Sequence, residues 1–273
     1  MTKKHRISQA IRNLILILFG AAMIFPFLWM IATSFKTGRD VFNISILPKP
    51  FSLDNYQKLL LTSMFPRWFL NSGIITLIVV LSVLFFDSLL GFTFAKYKFR
   101  GKSLSFILIL STMMIPTEML VIPWYIISNK LKWVDTYWGI MFPGLMSAFG
   151  TFLMRQFFFG IPEDLFDAGR MDGLHEFWLF WRIGLPLVKP AMSALAIFTF
   201  IGNWNAYLWP LIISTKKVMY TLPVGLALFN GEFLTEWNII MTGATVATVP
   251  ILVLYMLFQK QIIQGIALTG VKG

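Results

Sequence analysis

FLNSGIITLIVVLSVLFFDSLLGFTFA, residues 69–95, is apolar from end to end apart from a few small hydroxyl and amide side chains and one acid, Asp87. About 20 apolar residues at 1.5 Å each cross the roughly 30 Å of hydrocarbon in a bilayer. This stretch is longer than that. Lipid offers the backbone no hydrogen-bond partner, so a crossing segment satisfies its own amides as a helix. It is followed by KYKFRGK, residues 96–102, a short basic turn that reads as a cytoplasmic loop under the positive-inside bias.

Five further segments meet the same length criterion: 14–35, 104–128, 138–159, 187–213 and 238–259. No ten-residue alternating pattern points to a barrel. The expected fold is therefore all-α, a polytopic membrane protein with six transmembrane helices in a single transmembrane domain spanning residues 1–273. The first segment follows Lys3, Lys4, His5 and Arg6 as in a signal peptide. Its apolar run is too long for a signal h-region and no A-x-A-like site follows, so it is read as a retained helix. Between the first two spans, Pro48 and Pro50 predict extended chain, and Ser52 is placed to cap a short helix near Leu53.

Composition agrees. Of 273 residues, 57% are hydrophobic and only 13% charged, against roughly 25% charged in soluble domains. The net charge of +11 would suit a nucleic-acid partner. The basic residues instead cluster at the ends of apolar segments, where anionic lipid surfaces favour them. Loops on the N-terminal side of the membrane carry more Lys and Arg than those opposite, so both termini are expected in the cytoplasm. With no cysteine and two distant histidines, His5 and His175, no metal site is expected.

The charge that remains is concentrated in EDLFDAGRMDGLHEFWLFWRIGLPLVKP, residues 163–190, which holds Glu163, Asp164, Asp167, Asp172 and Glu176. Pro162 followed by two acids starts a helix. Gly173 is suited to breaking it with positive φ. Leu174, Phe177, Trp178 and Trp181 then form an apolar stripe at helical spacing. An amphipathic interfacial helix explains the aromatics. It does not explain acids facing an anionic leaflet, which suit a docking element for a cytoplasmic protein better.

Here the sequence resembles the EAA loop of ABC importer permeases, whose pattern is roughly E-A-A-x-x-D-G-A followed by L-P. Asp167, Ala168, Gly169, Arg170, Met171, Asp172 and Gly173 occupy the motif and Leu185-Pro186 closes it. Aspartate stands for the leading glutamate, and Gly169 for the second alanine. FLNSGIIT at 69–76, MMIPTEMLVIPWYIISNKL at 113–131, FIGNWNAYLWPLI at 200–212 and FQKQIIQGIALTGVKG from Phe258 are similar to segments of the maltose-type (MalG-like) carbohydrate branch.

The resemblance implies that residues 162–186 form a cytoplasmic coupling helix received by an ATPase subunit, with Asp167, Ala168, Gly169, Arg170, Asp172, Gly173, Leu185 and Pro186 at the contact. It also implies a cytoplasmic tail, 260–273, reaching the ATPase dimer through Gln264, Gly265, Gly270 and Lys272. Further implied partners are a second homologous permease, an extracytoplasmic solute-binding protein and a carbohydrate substrate. The setting is a bacterial or archaeal cytoplasmic membrane. No G-x-x-x-x-G-K-[ST] loop occurs, so ATP and Mg are expected on the partner ATPase and no cofactor in this chain.

Candidates for the substrate path are Glu118, Asn203, Trp204, Asn205, Tyr207 and Trp209, amides and rings able to hold sugar hydroxyls and C–H faces. Intramembrane acids are costly and point to function. Asp87 and Glu118 therefore support an alternative, a proton-coupled secondary transporter. Asp87, near the inner end of its span, could equally cap or pair with Lys96 or Lys98. No G-x-S-x-G, HExxH or paired intramembrane aspartates support a catalytic site.

Overall fold

The structure, a computed structural model, describes residues 3–45, 48–231 and 235–270, giving only the backbone for 3–8, 10, 39 and 260–270. In chain order its principal helices are α1 (Lys3–Ser34), α2 (Phe65–Lys96), α3 (Lys102–Thr112), α4 (Val121–Lys130), α5 (Tyr137–Met141), α6 (Ala148–Phe159), α7 (Asp164–Met171), α8 (Lys189–Trp204), α9 (Leu208–Ile213), α10 (Leu222–Ala227) and α11 (Trp237–Gly270). Among the described residues the only bridge is an isolated antiparallel pair, Asn230 with Thr235.

Three helices are long and apolar enough to cross a membrane unbroken: Ile11–Ser34 within α1, Phe65–Lys96, and Trp237–Gln259 within α11. Two bent helix pairs would bring the number to five among the described residues if each were a single span. These are α3 with Thr117–Lys130, at 93°, and Glu176–Leu187 with α8, at 82°. The first bend follows from Pro116, which lacks an amide donor and pushes Ile115 out of the helical region. The segment 138–159 is not one helix: Pro143 and Gly144 interrupt it, and Ser147, in extended conformation, starts α6 afresh. A length criterion is blind to such breaks, because the residues on both sides are equally apolar.

The chain divides into two compact units, Met1–Pro66 with Gly225–Val249, and Arg67–Val224 with Pro250–Gly273. In the first unit the apolar face of α1 is left open, with Leu14 to Phe19 all largely exposed. A helix apolar all round is made for lipid or a partner helix. Its end is held by Asn55, 4% exposed. The Asn55 Nδ2 donates to the carbonyls of Ser34 and Lys36, both at 2.8 Å, and its Oδ1 accepts from Asn238 Nδ2 at 2.7 Å. One side chain thus satisfies the carbonyl of the last residue of α1, which the helix leaves open, and that of Lys36 just beyond it. Lys58 pairs with Glu236 at 2.7 Å. The short helix is present at Asp54–Gln57, but Ser52 is not its cap: Leu53 holds that position without a side-chain bond, and Ser52, one residue before it, accepts through Oγ from the Asp54 amide at 3.0 Å.

The second unit is built along α2. Ile75, Val79, Val83 and Phe92 pack with Ile140, Met154, Phe158, Phe166, Phe180 and Leu195 in one core. At its start, buried Asn71 donates to the carbonyls of Val218 and Tyr220, both at 2.9 Å, and accepts from the Tyr137 hydroxyl at 2.8 Å. At its end the basic turn closes on Gly101, whose φ of +83° only glycine adopts without strain. Gly91 lets α6 approach: a Cβ there would lie 2.6 Å from that of Met154 and 2.7 Å from the Arg155 amide.

Candidate functional site

Two features of the second unit carry functional chemistry: the charged segment 162–187 and a set of cavities beside α2. In the segment α7 runs from Asp164 to Met171, its first turn acidic, as the Pro162-Glu163 start requires. It ends on Gly173 at φ +79°. A second helical stretch, partly π-wound, carries the chain from Glu176 to Leu187.

The acids of this segment are mostly paired within the chain. Arg170 contacts Asp167 at 2.6 Å and Glu163 at 3.3 Å through Nη1, and Glu176 at 3.0 Å through Nε. Lys96 reaches Glu163 at 3.2 Å and the Ile161 carbonyl at 2.6 Å. The Tyr97 hydroxyl donates to Glu176. Hydrogen bonds from Arg170 and then Tyr97 hold the Glu176 carboxyl below its ordinary value, while its acids push the Arg170 guanidinium up. The end of α2 is thereby tied to both halves of the charged segment.

The residues expected to meet a partner divide accordingly. Asp167, Ala168, Asp172, Gly173 and Pro186 are exposed, Arg170 and Leu185 are half-buried, and Gly169 is buried. Gly169 makes room for this chain's own core, since a Cβ there would lie 2.6 Å from Leu179 and 2.7 Å from Ile183. Around Gly173 there is nothing within 4 Å of an added Cβ, so its requirement is the left-handed backbone rather than space. Beside them stands Met171, 89% exposed. Phe177, Trp178 and Trp181 of the aromatic stripe are also open, while Leu174 turns into the core. In the tail, Gln264, Gly265 and Gly270 lie on the backbone helix of α11, and Lys272 is outside the described residues.

Asp87 is fully buried. Its carboxylate accepts from the Ser147 amide at 3.1 Å and from Ser147 Oγ at 2.9 Å, and that Oγ accepts from the Gly150 amide at 2.8 Å. Asp87 thus anchors the positive end of α6 and does not pair with Lys96 or Lys98. Among the described residues Glu118 is exposed, without an ionic partner, and lies off the cavities.

A cavity of about 180 Å³ lies among the start of α2, the 117–124 segment, α5 and the break between α8 and α9. Asn203 and Trp209 line it with Ser72, Trp124, Gly144 and Thr221. A second, of about 270 Å³, shares Pro143, Gly144 and Asn203 with the first and continues past Val83, Ser147 and Thr199. Asn203 Nδ2 donates to the Thr199 carbonyl at 2.9 Å. Trp209 Nε1 donates to the carbonyls of Gly139 and Ile140 at 3.1 and 3.2 Å.

Three other candidates do not line either cavity. Trp204 is buried against Phe69 and Phe200, Asn205 bonds back to the Ile201 carbonyl at 2.9 Å, and Tyr207 is exposed. Thr221, Gly144 and Ser147 were invisible as site residues: a loop threonine, a glycine in a helix break and an N-cap serine have no local signature of a cavity.

Residues 87–268 match the family described as Binding-protein-dependent transport system inner membrane component. The Bacillus subtilis arabinooligosaccharides transport system permease protein AraQ is 35% identical over 266 residues, 96% of this chain and 95% of its own. The trehalose/maltose transport system permease protein MalG of Thermococcus litoralis is 31% identical, over 95% of this chain and 97% of its own. The sn-glycerol-3-phosphate transport system permease protein UgpE of Brucella abortus is 30% identical, over 98% and 99%. In fold, the chain matches a chain from the crystal structure of a bacterial ABC transporter involved in the import of the acidic polysaccharide alginate. The TM-score is 0.85 at 23% identity, covering 95% of this chain and 98% of that one. The chain belongs to the binding-protein-dependent transport system inner membrane component family, and is a membrane permease subunit of an ATP-binding-cassette importer.

Proposed function

We propose that this permease carries a sugar or oligosaccharide across the cytoplasmic membrane, paired with a second homologous permease and driven by an ATPase dimer received on residues 162–186. The observation that carries the docking reading is the exposed end of α7. Ala168, Asp172, Gly173 and Met171 project there from a segment braced to α2 by Lys96 and Tyr97. A braced knob transmits a push; a loose loop would absorb it. The names of AraQ and MalG supply the substrate class. ATP and Mg sit on the partner, a binding protein delivers the sugar on the opposite side, and both termini lie in the cytoplasm. In this reading Gln264, Gly265, Gly270 and Lys272 belong to the cytoplasmic tail that reaches the ATPase dimer. Membership in a binding-protein-dependent family displaces the proton-coupled alternative, and Asp87 is occupied by Ser147.

The test is reconstituted uptake. With the second permease, the ATPase and a binding protein in proteoliposomes, sugar uptake should require ATP and stop when Met171→Asp and Ala168→Glu are introduced together. Uptake by this chain alone, driven by a pH gradient, overturns the proposal.

A further inference from the structure

The two cavities beside α2 meet at one narrow wall. Both are lined by Pro143, Gly144 and Asn203. The bond from Asn203 Nδ2 to the Thr199 carbonyl fixes the amide, so Oδ1 is turned towards Gly144, 3.2 Å from where a Cβ would stand. That leaves the Asn203 oxygen as an acceptor at the junction. Thr221 also lines the first cavity, and the residue is 3% exposed. Trp124 and Trp209 stand edge to face in the same wall, ring centroids 5.7 Å apart.

Size narrows the ligand. At about 180 Å³ the first cavity is smaller than the ~300–1,000 Å³ of sites for drug-sized molecules, yet several times one water's ~30 Å³. One sugar ring falls in that range. Charge narrows it further. Neither cavity has an Arg, Lys or His in its lining, and an anionic ligand brought into an apolar wall without a cation would lose its hydration uncompensated.

We infer that the two cavities are successive single-ring subsites for neutral sugars, divided by Asn203, and that this subunit excludes uronic and phosphorylated sugars. The inference rests on the carbohydrate-import reading and sharpens it. The glycerol-3-phosphate and alginate systems that the chain resembles are named for anionic cargo, so likeness alone would not have chosen the neutral class.

The protein has no cysteine, so single-cysteine variants report one position each. Thr221→Cys and, separately, Thr117→Cys are made in the full transporter. Alkylation of this chain by N-ethylmaleimide is then timed with D-glucose, L-arabinose, D-glucuronate or sorbitol present. At twice its dissociation constant a ligand occupies two thirds of the sites and slows alkylation about threefold. Glucose or arabinose should slow both variants by that much, and glucuronate and sorbitol should not. Asn203→Ala should lessen the protection, and Met171→Cys, on the charged segment, should show none. Equal rates with and without sugar at both cavity positions, or protection by glucuronate, overturn the inference. ATP-driven uptake by the same preparation shows separately that the import reading stands.

Discussion

Asp87, from the last third of α2, holds the N-cap of another helix: both of its oxygens lie 3.1 Å from the Ser147 amide, and Oδ2 lies 2.9 Å from Ser147 Oγ. The arrangement gives a buried acid a structural task, because negative charge at the start of α6 meets the positive end of that helix. It also explains how a chain interrupted at Pro143 and Gly144 can begin α6 in a defined place.

Asp87→Asn retains one oxygen to accept from the Ser147 amide, and should leave ATP-driven uptake close to that of the parent. Asp87→Leu leaves the Ser147 amide and hydroxyl buried without that acceptor. Loss of hydrogen bonds to a charged group costs about 1.5–3 kcal/mol, so the thermal midpoint in detergent should fall by several degrees. Loss of uptake in Asp87→Asn with an unchanged midpoint would instead assign the carboxylate a transport role.

Gly173 and Gly169 are required for different reasons, and substitution separates them. At Gly173 only the positive φ matters, so Gly173→Asn, which tolerates that region, should keep the ATPase bound. Gly173→Val, strained by roughly 1–2 kcal/mol or more, should lose it. Gly169→Val should act through the core, pressing on Leu179 and Ile183 and loosening the whole segment to proteolysis. Co-purification with the ATPase and trypsin cleavage at Arg182 read the two effects independently.

Much of this was legible in the chain. Asp167 to Gly173 with Leu185-Pro186 identified the charged segment, because a helix start, a positive-φ glycine and a proline exit are local. Asn203 and Trp209 were legible as polar groups in an apolar span. What could not be read were long-range relations. Asp87 meets Ser147 sixty positions away, and nothing between them signals it. The same holds for Glu176, which looked like part of a free acidic face and is engaged by Arg170 and Tyr97. Continuous hydropathy across Pro116 and Pro143 likewise concealed the breaks that make the cavities possible.

The brace between α2 and the charged segment has a pH signature. The Glu176 carboxyl is held low by Arg170 and then Tyr97, so its stabilising contribution is present above its unfolded value and lost as pH falls through the lower folded one. Amide exchange in residues 164–178 should therefore, after correction for intrinsic exchange, stay flat from neutral pH down through the ordinary carboxylate range and rise only below it. Glu176→Gln should remove that acid limb. It should also weaken ATP-driven uptake while leaving the ATPase bound. With Glu176 half exposed, the pair itself contributes at most about 1 kcal/mol, so global stability should move little.

In the first unit, Asn55 is the residue whose loss should be felt most. Its amide donates to Ser34 and Lys36 and accepts from Asn238, all at 2.8 Å or less. Asn55→Ala strips two carbonyls of a buried donor at a cost of about 1–3 kcal/mol. Asn55→Asp is worse, since it brings an acceptor, and a charge, against those same carbonyls. A midpoint order of parent above Asn55→Ala above Asn55→Asp is expected in thermal unfolding in detergent. An aspartate variant as stable as the parent would show that the Asn55 donors do not hold the end of α1.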